Sequence, residues 1–261
     1  MSEDRVLTEI RGPLGFITIN RPKVLNALDV PTILDLEKAL TKLEASAEVR
    51  VIVVTGAGPK AFVAGGDIAD LESRQGLPHY LEFAEIIHRV VRRFETCDKP
   101  TIGAINGFAL GGGTELLLAL DIRIAADTAK LGLPEITLGI FPGAGGTQRI
   151  VRQVPLCRAK EIMFTGDHIT AAEAVEIGLI NRAVPADELM ADVTRTAEKI
   201  AAKSPLVLKL LKRTLRDGAD MPLPAALAHE QAVVSLVFDS TDAHEGCKAF
   251  LEKRNAVFTG E

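Results

Sequence analysis

The stretch Ile105-Asn-Gly-Phe-Ala-Leu-Gly-Gly-Gly-Thr-Glu115 decides the fold of this chain. An apolar run at residues 101–105 leads into it, and a run of leucine and alanine at 116–120 follows it. This order predicts a strand, a tight turn and a helix start, with a carboxylate in the first helical turn. Glycines are favoured where the backbone closely approaches another group. Since free N–H groups at a helix start attract negative charge, we expect this turn to hold a developing oxyanion beside Glu115.

A second glycine turn, Ala64-Gly65-Gly66-Asp67, follows another short apolar run at residues 61–63. If the two strands are neighbours, N–H groups from both turns can point at one oxygen atom and form an oxyanion hole. Losing one such donor costs about 2.7–4 kcal/mol of activation barrier. The alternative is a pair of ordinary tight turns, and the pattern alone does not decide between the two interpretations.

Two glutamates stand in unusually apolar surroundings. Glu115 precedes a run of leucines, and Glu135 lies between Pro134 and Ile136. A desolvated carboxyl has a raised pKa and can hold or pass a proton near neutrality, so two of them could manage both protons of one water molecule. The alternative is that Glu115 only stabilises a helix N-terminus and that Glu135 lies on an exposed loop.

Composition restricts the classes of protein and site that the chain can form. Its 261 residues are 47% hydrophobic and carry a net charge of −5. That is enough for a large core, and the acidic balance gives no overall basic surface for nucleic acid. The three cysteines form no CxxC pair, so we expect no disulfide framework. The five histidines lack metal-ligand spacing, so we expect no metal site. With no signal-peptide core and no apolar run that spans a bilayer, we expect a soluble cytoplasmic protein without membrane contact.

The order of patterns predicts an α/β protein with a helical C-terminal part. Residues 6–10 and 15–20 are typical of a hairpin, and residues 49–55 of a buried strand. Asp29 is a candidate N-cap, and Thr170-Ala-Ala-Glu173 has the form of a capping box. The first two-thirds of the chain repeats strand, strand and helix, whereas helices dominate the end. A boundary near residues 184–187 would separate residues 1–186 from residues 187–261.

Taken together, these motifs match a known family. The matching segments, besides residues 105–115, are residues 19–28, 61–67, 121–123, 134–149, 165–166, 171–179 and 250–254. In their order and spacing the chain resembles the enoyl-CoA hydratase/isomerase (crotonase) superfamily over essentially its whole length. The resemblance implies a crotonase-like spiral of ββα units with a C-terminal helical trimerisation region, assembled as a homotrimer or as a hexamer built from two trimers.

The resemblance also implies a substrate and a set of site residues. The substrate would be an acyl-CoA thioester whose oxygen is bound by the N–H groups of Gly66 and Gly112; position 66 is often alanine in the family, so the turn here departs from the common pattern. Coenzyme A is part of the substrate, and no metal or other cofactor is implied. The residues that match positions lining the coenzyme A and acyl site are Lys23, Val24, Leu25, Ala64, Asp67, Ile68, Gly111, Phe141 and, from a neighbouring subunit, Lys253. Lys253 could equally be a solvated lysine at a helix end.

The carboxylates decide which reaction of the superfamily is expected. Hydratases of the family carry both, at the positions of Glu115 and Glu135, whereas simple isomerases typically keep one. The resemblance therefore implies an enoyl-CoA hydratase that adds water reversibly across the 2,3 double bond of a 2-enoyl-CoA, as in fatty-acid β-oxidation. Glu115 would accept a proton from water and Glu135 would deliver one to Cα, an assignment left open because coupled carboxyls titrate together.

Three alternatives remain at this point. A dienoyl-CoA or methylglutaconyl-CoA hydratase, or an isomerase, would differ in the acyl pocket, which we expect to include parts of residues 71–80 and 140–141. An RNA-binding protein is the non-enzymatic alternative, and the acidic charge and the lack of an aromatic-basic surface argue against it.

Overall fold

The structure, a computed structural model, describes residues 4–73 and 76–261 of the chain. The strands β1 to β10 are Val6–Arg11, Leu14–Ile19, Val51–Gly56, Ala61–Val63, Thr101–Ile105, Phe108–Leu110, Ile122–Ala126, Lys130–Gly132, Ile169–Thr170 and Arg182–Val184. The helices α1 to α11 are Val30–Ala45, Ile68–Ser73, Leu77–Thr96, Gly112–Leu117, Gly146–Ile150, Leu156–Thr165, Ala171–Glu176, Leu189–Ala201, Pro205–Gly218, Leu223–Phe238 and Thr241–Leu251. Two 3-10 turns, Pro22–Val24 and Pro134–Leu138, lie between them.

The strands form two separate sheets. The larger sheet has the order β1-β2-β3-β5-β7-β10 and the smaller one the order β4-β6-β8-β9. Each of the pairs β3/β4, β5/β6 and β7/β8 places its first strand in the larger sheet and its second in the smaller. The chain thus spirals through repeated ββα units, as predicted.

Pairing in the smaller sheet determines where the glycine turns lie. β4 and β6 are parallel, and so are β6 and β8, whereas β9 is antiparallel to β8. Because the carboxyl ends of parallel strands meet at one edge of a sheet, the segments that follow β4, β6 and β8 emerge together.

Several local predictions are confirmed. β1 and β2 form an antiparallel hairpin. The Asp29 side chain caps α1 by accepting the amide of Thr32 at 2.9 Å. Thr170 and Glu173 form the capping box at the start of α7. The strand predicted at residues 49–55 begins two residues later and extends to Gly56.

The hydrophobic core joins the larger sheet to helices on both sides of the predicted boundary. Its buried residues come from β2, β3, β5 and β7 and from α1, α3 and α8. The residues of α8 that belong to it are Leu189, Val193, Ala197 and Ala201. The division after residue 186 therefore does not coincide with a break in packing, and as a boundary between functional units it stays a prediction.

The helices after α8 are attached differently. Neither α9 nor α10 has a buried residue in the single chain. Ion pairs hold α9 to the core: Lys212 lies 2.7 Å from Asp121, and Lys209 lies 3.0 Å from Asp98. None of the helices in the described part of the chain is long and apolar enough to cross a membrane.

Candidate active site

The two glycine turns are in contact, as the sequence predicted for neighbouring strands. A Cβ added to Gly112 would lie 3.8 Å from the amide nitrogen of Gly66. Glu135, which follows β8, reaches the same place: its Oε1 would lie 2.9 Å from a Cβ added to Gly111. Three parallel strands thus deliver two glycine turns and one carboxylate to a single edge.

Two amides of these turns are not used by the hydrogen bonds that shape them. Gly112 is the first residue of α4, so its N–H has no acceptor within that helix. The turn after β4 bridges to Leu28 through the carbonyl of Gly65 and the amide of Asp67, both at 2.9 Å. Since successive amides of an extended segment alternate in direction, the N–H of Gly66 faces away from Leu28. The two predicted donors therefore sit side by side.

Packing explains why glycine occupies the two positions on either side of Gly112. Gly111 has a φ of +51°, in the left-handed region, and contacts the carboxyl of Glu135. A Cβ on Gly113 would lie 2.2 Å from the carbonyl oxygen of Val63. The close approach of β4 to the helix start thus requires a residue without a side chain.

At Gly66, in contrast, neither the backbone conformation nor the packing requires a glycine. Its φ is not in the left-handed region, and a Cβ there would meet Leu71 at an ordinary 3.5 Å. We expect Gly66→Ala to leave the free energy of unfolding unchanged or to raise it by about 0.4–1 kcal/mol, by restricting the unfolded chain. Gly113→Ala, the matched control, should lower it by about 1–3 kcal/mol through overpacking. Equal losses in urea unfolding of both variants would contradict this geometry.

Glu115 is buried and held by a loop that is remote in sequence. Glu115 is only 3% exposed, and its Oε1 accepts hydrogen bonds from the amides of Ala144 and Gly146, each at 2.7 Å. Burial raises the pKa of Glu115, while these two amides and the charge of Arg149 lower it. The hydrogen bonds fix one carboxylate oxygen and leave Oε2 free of the two amides, so the group is oriented and partly stabilised as an anion.

Glu135 has a different environment. It is the second residue of the 3-10 turn Pro134–Leu138, and its Oε2 is buried without a hydrogen-bond partner among the described residues. Burial raises the pKa of Glu135 to about 7; the nearby charge of Glu115 adds to the rise. The pKa of both carboxyls is raised by burial, but two amides stabilise the charged form of Glu115, whereas no hydrogen bond from another described residue stabilises that of Glu135. Glu135 is thus half-buried with one buried carboxyl oxygen, although residues 136–141 after it are exposed.

The predicted coenzyme A positions lie on two adjoining segments. Lys23 and Val24 lie in the exposed 3-10 turn Pro22–Val24, and Leu25 follows it; the carbonyl of Leu25 accepts the amide of Ala64 at 3.1 Å. A shallow cavity of about 270 Å³ is lined by Lys23, Leu25 and also Lys60. Lys60 was not singled out from the sequence, where it is one more lysine in a Gly-Pro turn.

Asp67, another predicted position, is engaged by an arginine. Arg21 Nη2 lies 2.9 Å from Asp67 and 3.2 Å from Asp29, and its Nη1 donates to the carbonyl of Ala27. The arginine thereby joins the turn after β4 to the start of α1. This role was missed from the sequence, because the partners are 46 residues apart in the chain.

Other predicted residues are placed at the surface of the single chain. Ile68 and Phe141 are exposed, Phe141 to 73%. Lys253 is exposed after the end of α11. The acyl-pocket segment at residues 71–80 includes residues 74 and 75, which lie outside the described residues. Within the described part of the chain, no three His, Cys, Asp or Glu side chains are grouped so that they could hold a metal ion.

Comparison with known proteins shows to which family the chain belongs. The family model for enoyl-CoA hydratase/isomerase matches residues 9–261. The chain belongs to this family. It is 41% identical to a short-chain-enoyl-CoA hydratase of Clostridium acetobutylicum over 97% of both chains, and 41% identical to a crotonyl-CoA hydratase of Syntrophomonas wolfei over 99% of both.

Solved structures of family members confirm the predicted fold. The crystal structure of an enoyl-CoA hydratase from Bacillus anthracis has a TM-score of 0.95 and 39% sequence identity, and the match covers 99% of this chain and 100% of that one. The crotonase-like α/β spiral expected from the motifs is therefore the fold of this family member.

Proposed function

We propose that the protein is an enoyl-CoA hydratase, which adds water reversibly to a 2-enoyl-CoA thioester to give a 3-hydroxyacyl-CoA. One observation carries the proposal: two carboxyls with raised pKa values, Glu115 and Glu135, lie beside a pair of glycine turns, and two amides hold only that of Glu115. The names of the relatives in Clostridium acetobutylicum and Syntrophomonas wolfei support the same reaction.

The paired glycine turns would bind the thioester oxygen. In the transition state, electron density from the double bond moves onto this oxygen. The N–H groups of Gly66 and Gly112 would stabilise that charge without reorganising, and the contact between their two turns supports this role. The exposed Lys23, with Lys60 beside it, would meet the phosphates of coenzyme A, and the acyl chain would lie near Leu71 and Phe141.

The two carboxyls then divide the protons of one water molecule. Ionised Glu115 accepts a proton from the water whose oxygen bonds to Cβ, and protonated Glu135 gives its proton to Cα. The product has gained one water, while Glu115 is left protonated and Glu135 ionised; proton exchange with solvent restores the pair. This division follows from the hydrogen bonds: two amides stabilise the ionised form of Glu115, and Glu135, whose pKa burial also raises, has no such donors among the described residues.

A pH dependence follows from the pKa of Glu135. Since burial raises this pKa to about 7, the carboxyl is protonated below that pH and loses its proton as the pH rises through it. We therefore expect kcat/KM for hydration to fall on the alkaline side with an apparent pKa near 7, measured from about pH 6 to about pH 9. A profile that stays flat over this range would contradict a proton donor at Glu135.

The substrate is tested with a panel of enoyl-CoA esters. Short, long, branched and cyclic 2-enoyl-CoA thioesters are compared by kcat/KM, with loss of the conjugated double bond as the signal. We expect hydration of at least the short straight-chain esters, as the names of the relatives indicate. A 3-enoyl-CoA ester is assayed alongside them, and migration of its double bond without hydration of the 2-enoyl esters would favour an isomerase instead. Hydration of straight-chain esters is the reaction expected of an enzyme of fatty-acid β-oxidation.

We further propose that α9 and α10 form the contact between subunits of a trimer or of a dimer of trimers. Both helices leave apolar side chains exposed in the single chain; those on α10 are Leu223, Leu227, Val234, Leu236 and Phe238. Several large apolar side chains exposed on neighbouring helices typically mark a protein interface. In such an assembly Lys253 of one subunit could reach the coenzyme A of another.

The proposed assembly can be tested by the mass of the particle in solution. Light scattering on the purified protein should give three or six times the chain mass of 27.9 kDa. Leu227→Asp should reduce that mass, because a charge would be buried without a partner in the contact. A wild-type mass equal to one chain at micromolar concentration would contradict the proposal.

A further inference from the structure

The loop that holds Glu115 is itself held by an arginine. Arg149, on α5, donates from Nη1 to the carbonyl of Ala144 at 3.1 Å, and the amide of Ala144 is one of the two that bind Glu115. Its Nη2 lies 2.8 Å from Oε2 of Glu95 on α3. The Arg149 side chain is 15% exposed, so the guanidinium joins the loop to α3 largely out of water.

The backbone of the loop is shaped around this guanidinium. Gly145 has a φ of +99°, which disfavours any residue with a side chain. A Cβ there would lie only 2.0 Å from Nη1 of Arg149. The conformation that presents the amides of Ala144 and Gly146 to one carboxylate oxygen thus requires a glycine at 145, and the guanidinium of Arg149 occupies the space that a side chain there would take.

Arg149 also acts on the charge of Glu115. Burial is the largest influence and raises the pKa of Glu115, whereas the positive charge of Arg149 lowers it, together with the two amides. The other carboxyls close to this system are Glu135, whose pKa Glu115 raises, and Glu95, which pairs with Arg149. Arg149 therefore opposes the effect of burial on the group that must be ionised to accept a proton.

The neighbouring cations have other partners or face solvent. A cavity of about 420 Å³ is lined by His88, Arg89, Arg92, Arg93, Thr96 and Arg149. Arg89 and Arg93 form ion pairs with Glu37 and Glu44 of α1. Arg92 is exposed on the same cavity and provides a matched control.

We propose that Arg149 is a positioning residue for Glu115. It fixes the loop at residues 144–146 so that two amides hold one carboxylate oxygen, and its charge favours the ionised form that accepts a proton from water. The effect on catalysis rests on the proposed hydratase function. The effect on the ionisation of Glu115 does not.

The first test uses activity. We expect Arg149→Gln to lower kcat by about 10- to 100-fold, as a small misplacement of a reacting group does, with little change in KM. Removing the positive charge raises the pKa of Glu115, so the acidic limb of the kcat/KM profile should move to higher pH. Arg149→Lys keeps the charge but loses the two-pronged contact, and should lower kcat while leaving that limb near its wild-type position.

Matched variants separate positioning from general stability. Arg92→Gln removes an arginine from the same cavity without touching the loop and should behave as wild type. Should Arg149→Gln not fold, Glu95→Gln releases the guanidinium from α3 and should lower kcat in the same direction by less. An acidic limb that does not move in Arg149→Gln, or that moves equally in Arg92→Gln, would overturn the proposal.

The second test needs no turnover. Carbon-13 NMR of labelled glutamate carboxyls follows the titration of Glu115, with its signal assigned by its loss in Glu115→Gln. The midpoint should lie at higher pH in Arg149→Gln than in wild type, and an unchanged midpoint overturns the proposal. Failure of wild type to hydrate any enoyl-CoA would instead count against the proposed function, so the two failures are distinguishable.

Discussion

Replacing Glu135 by glutamine is expected to lower kcat for crotonyl-CoA hydration by at least about 100-fold, the magnitude of general acid catalysis. The amide has nearly the same shape as the protonated carboxyl, so it should fit against Gly111. It cannot release a proton to Cα at neutral pH. Because the thioester oxygen and coenzyme A are bound by other groups in this account, KM should change little.

Two further variants define what the loss at Glu135 means. Glu135→Asp keeps an acid but shortens it, and should retain more activity than the glutamine variant. Glu176→Gln, an exposed glutamate on α7, should be indistinguishable from wild type. Near-wild-type hydration by Glu135→Gln would show that the proton at Cα comes from elsewhere and would refute the two-carboxylate mechanism.

Glu115→Gln is expected to reduce kcat to a similar extent, by at least about 100-fold, for the opposite reason. The side-chain carbonyl of glutamine can still accept the amides of Ala144 and Gly146, which the carboxylate accepts at 2.7 Å. What is lost is the basic oxygen that takes a proton from the attacking water. The loop should therefore keep its conformation while the base is gone.

Stability separates this effect from simple disruption. The unfolding temperature of Glu115→Gln should be close to that of wild type or higher, because a buried ionisable group with a raised pKa has been replaced by a neutral one. Glu115→Ala, in contrast, leaves two buried amides without acceptors and should be clearly less stable. A Glu115→Gln variant that unfolds as readily as Glu115→Ala would mean that its loss of activity reports on structure instead of catalysis.

The local chemistry of the site could be predicted from the sequence, because it depends on residues close together in the chain. Three glycines followed by Glu115 indicated a helix start with free amides, and Glu135 stood out by its apolar neighbours. The same holds for the capping box at Thr170. In each case the physical cause lies within about one turn of backbone, which a pattern of residue types records directly.

What could not be predicted depends on contacts between remote segments. The adjacency of Gly66 and Gly112 requires β4 and β6 to be parallel neighbours, a pairing that three-residue strands do not specify. The amides that hold Glu115 come from 29 and 31 residues further along the chain. Arg149 ended a recognised motif, yet its role became visible only with Glu95 beside it.

The helical end of the chain shows a related difference. The predicted boundary after residue 186 followed a change from mixed patterns to helices. In the structure α8 packs on the larger sheet, and the change in burial comes only with α9. Helical periodicity locates apolar faces but does not say whether the same chain or another subunit covers them.

The proposed mechanism requires that Glu115 and Glu135 together add one water molecule across the double bond of the substrate. The most direct measurement is the mass of the product formed from crotonyl-CoA in oxygen-18-labelled water, for wild type and for the double variant Glu115→Gln/Glu135→Gln. Wild type should give a 3-hydroxyacyl-CoA that carries one labelled oxygen on Cβ, and the double variant should give almost none in the same time. An unlabelled product with a shifted double bond, or equal labelling by the double variant, would contradict the account.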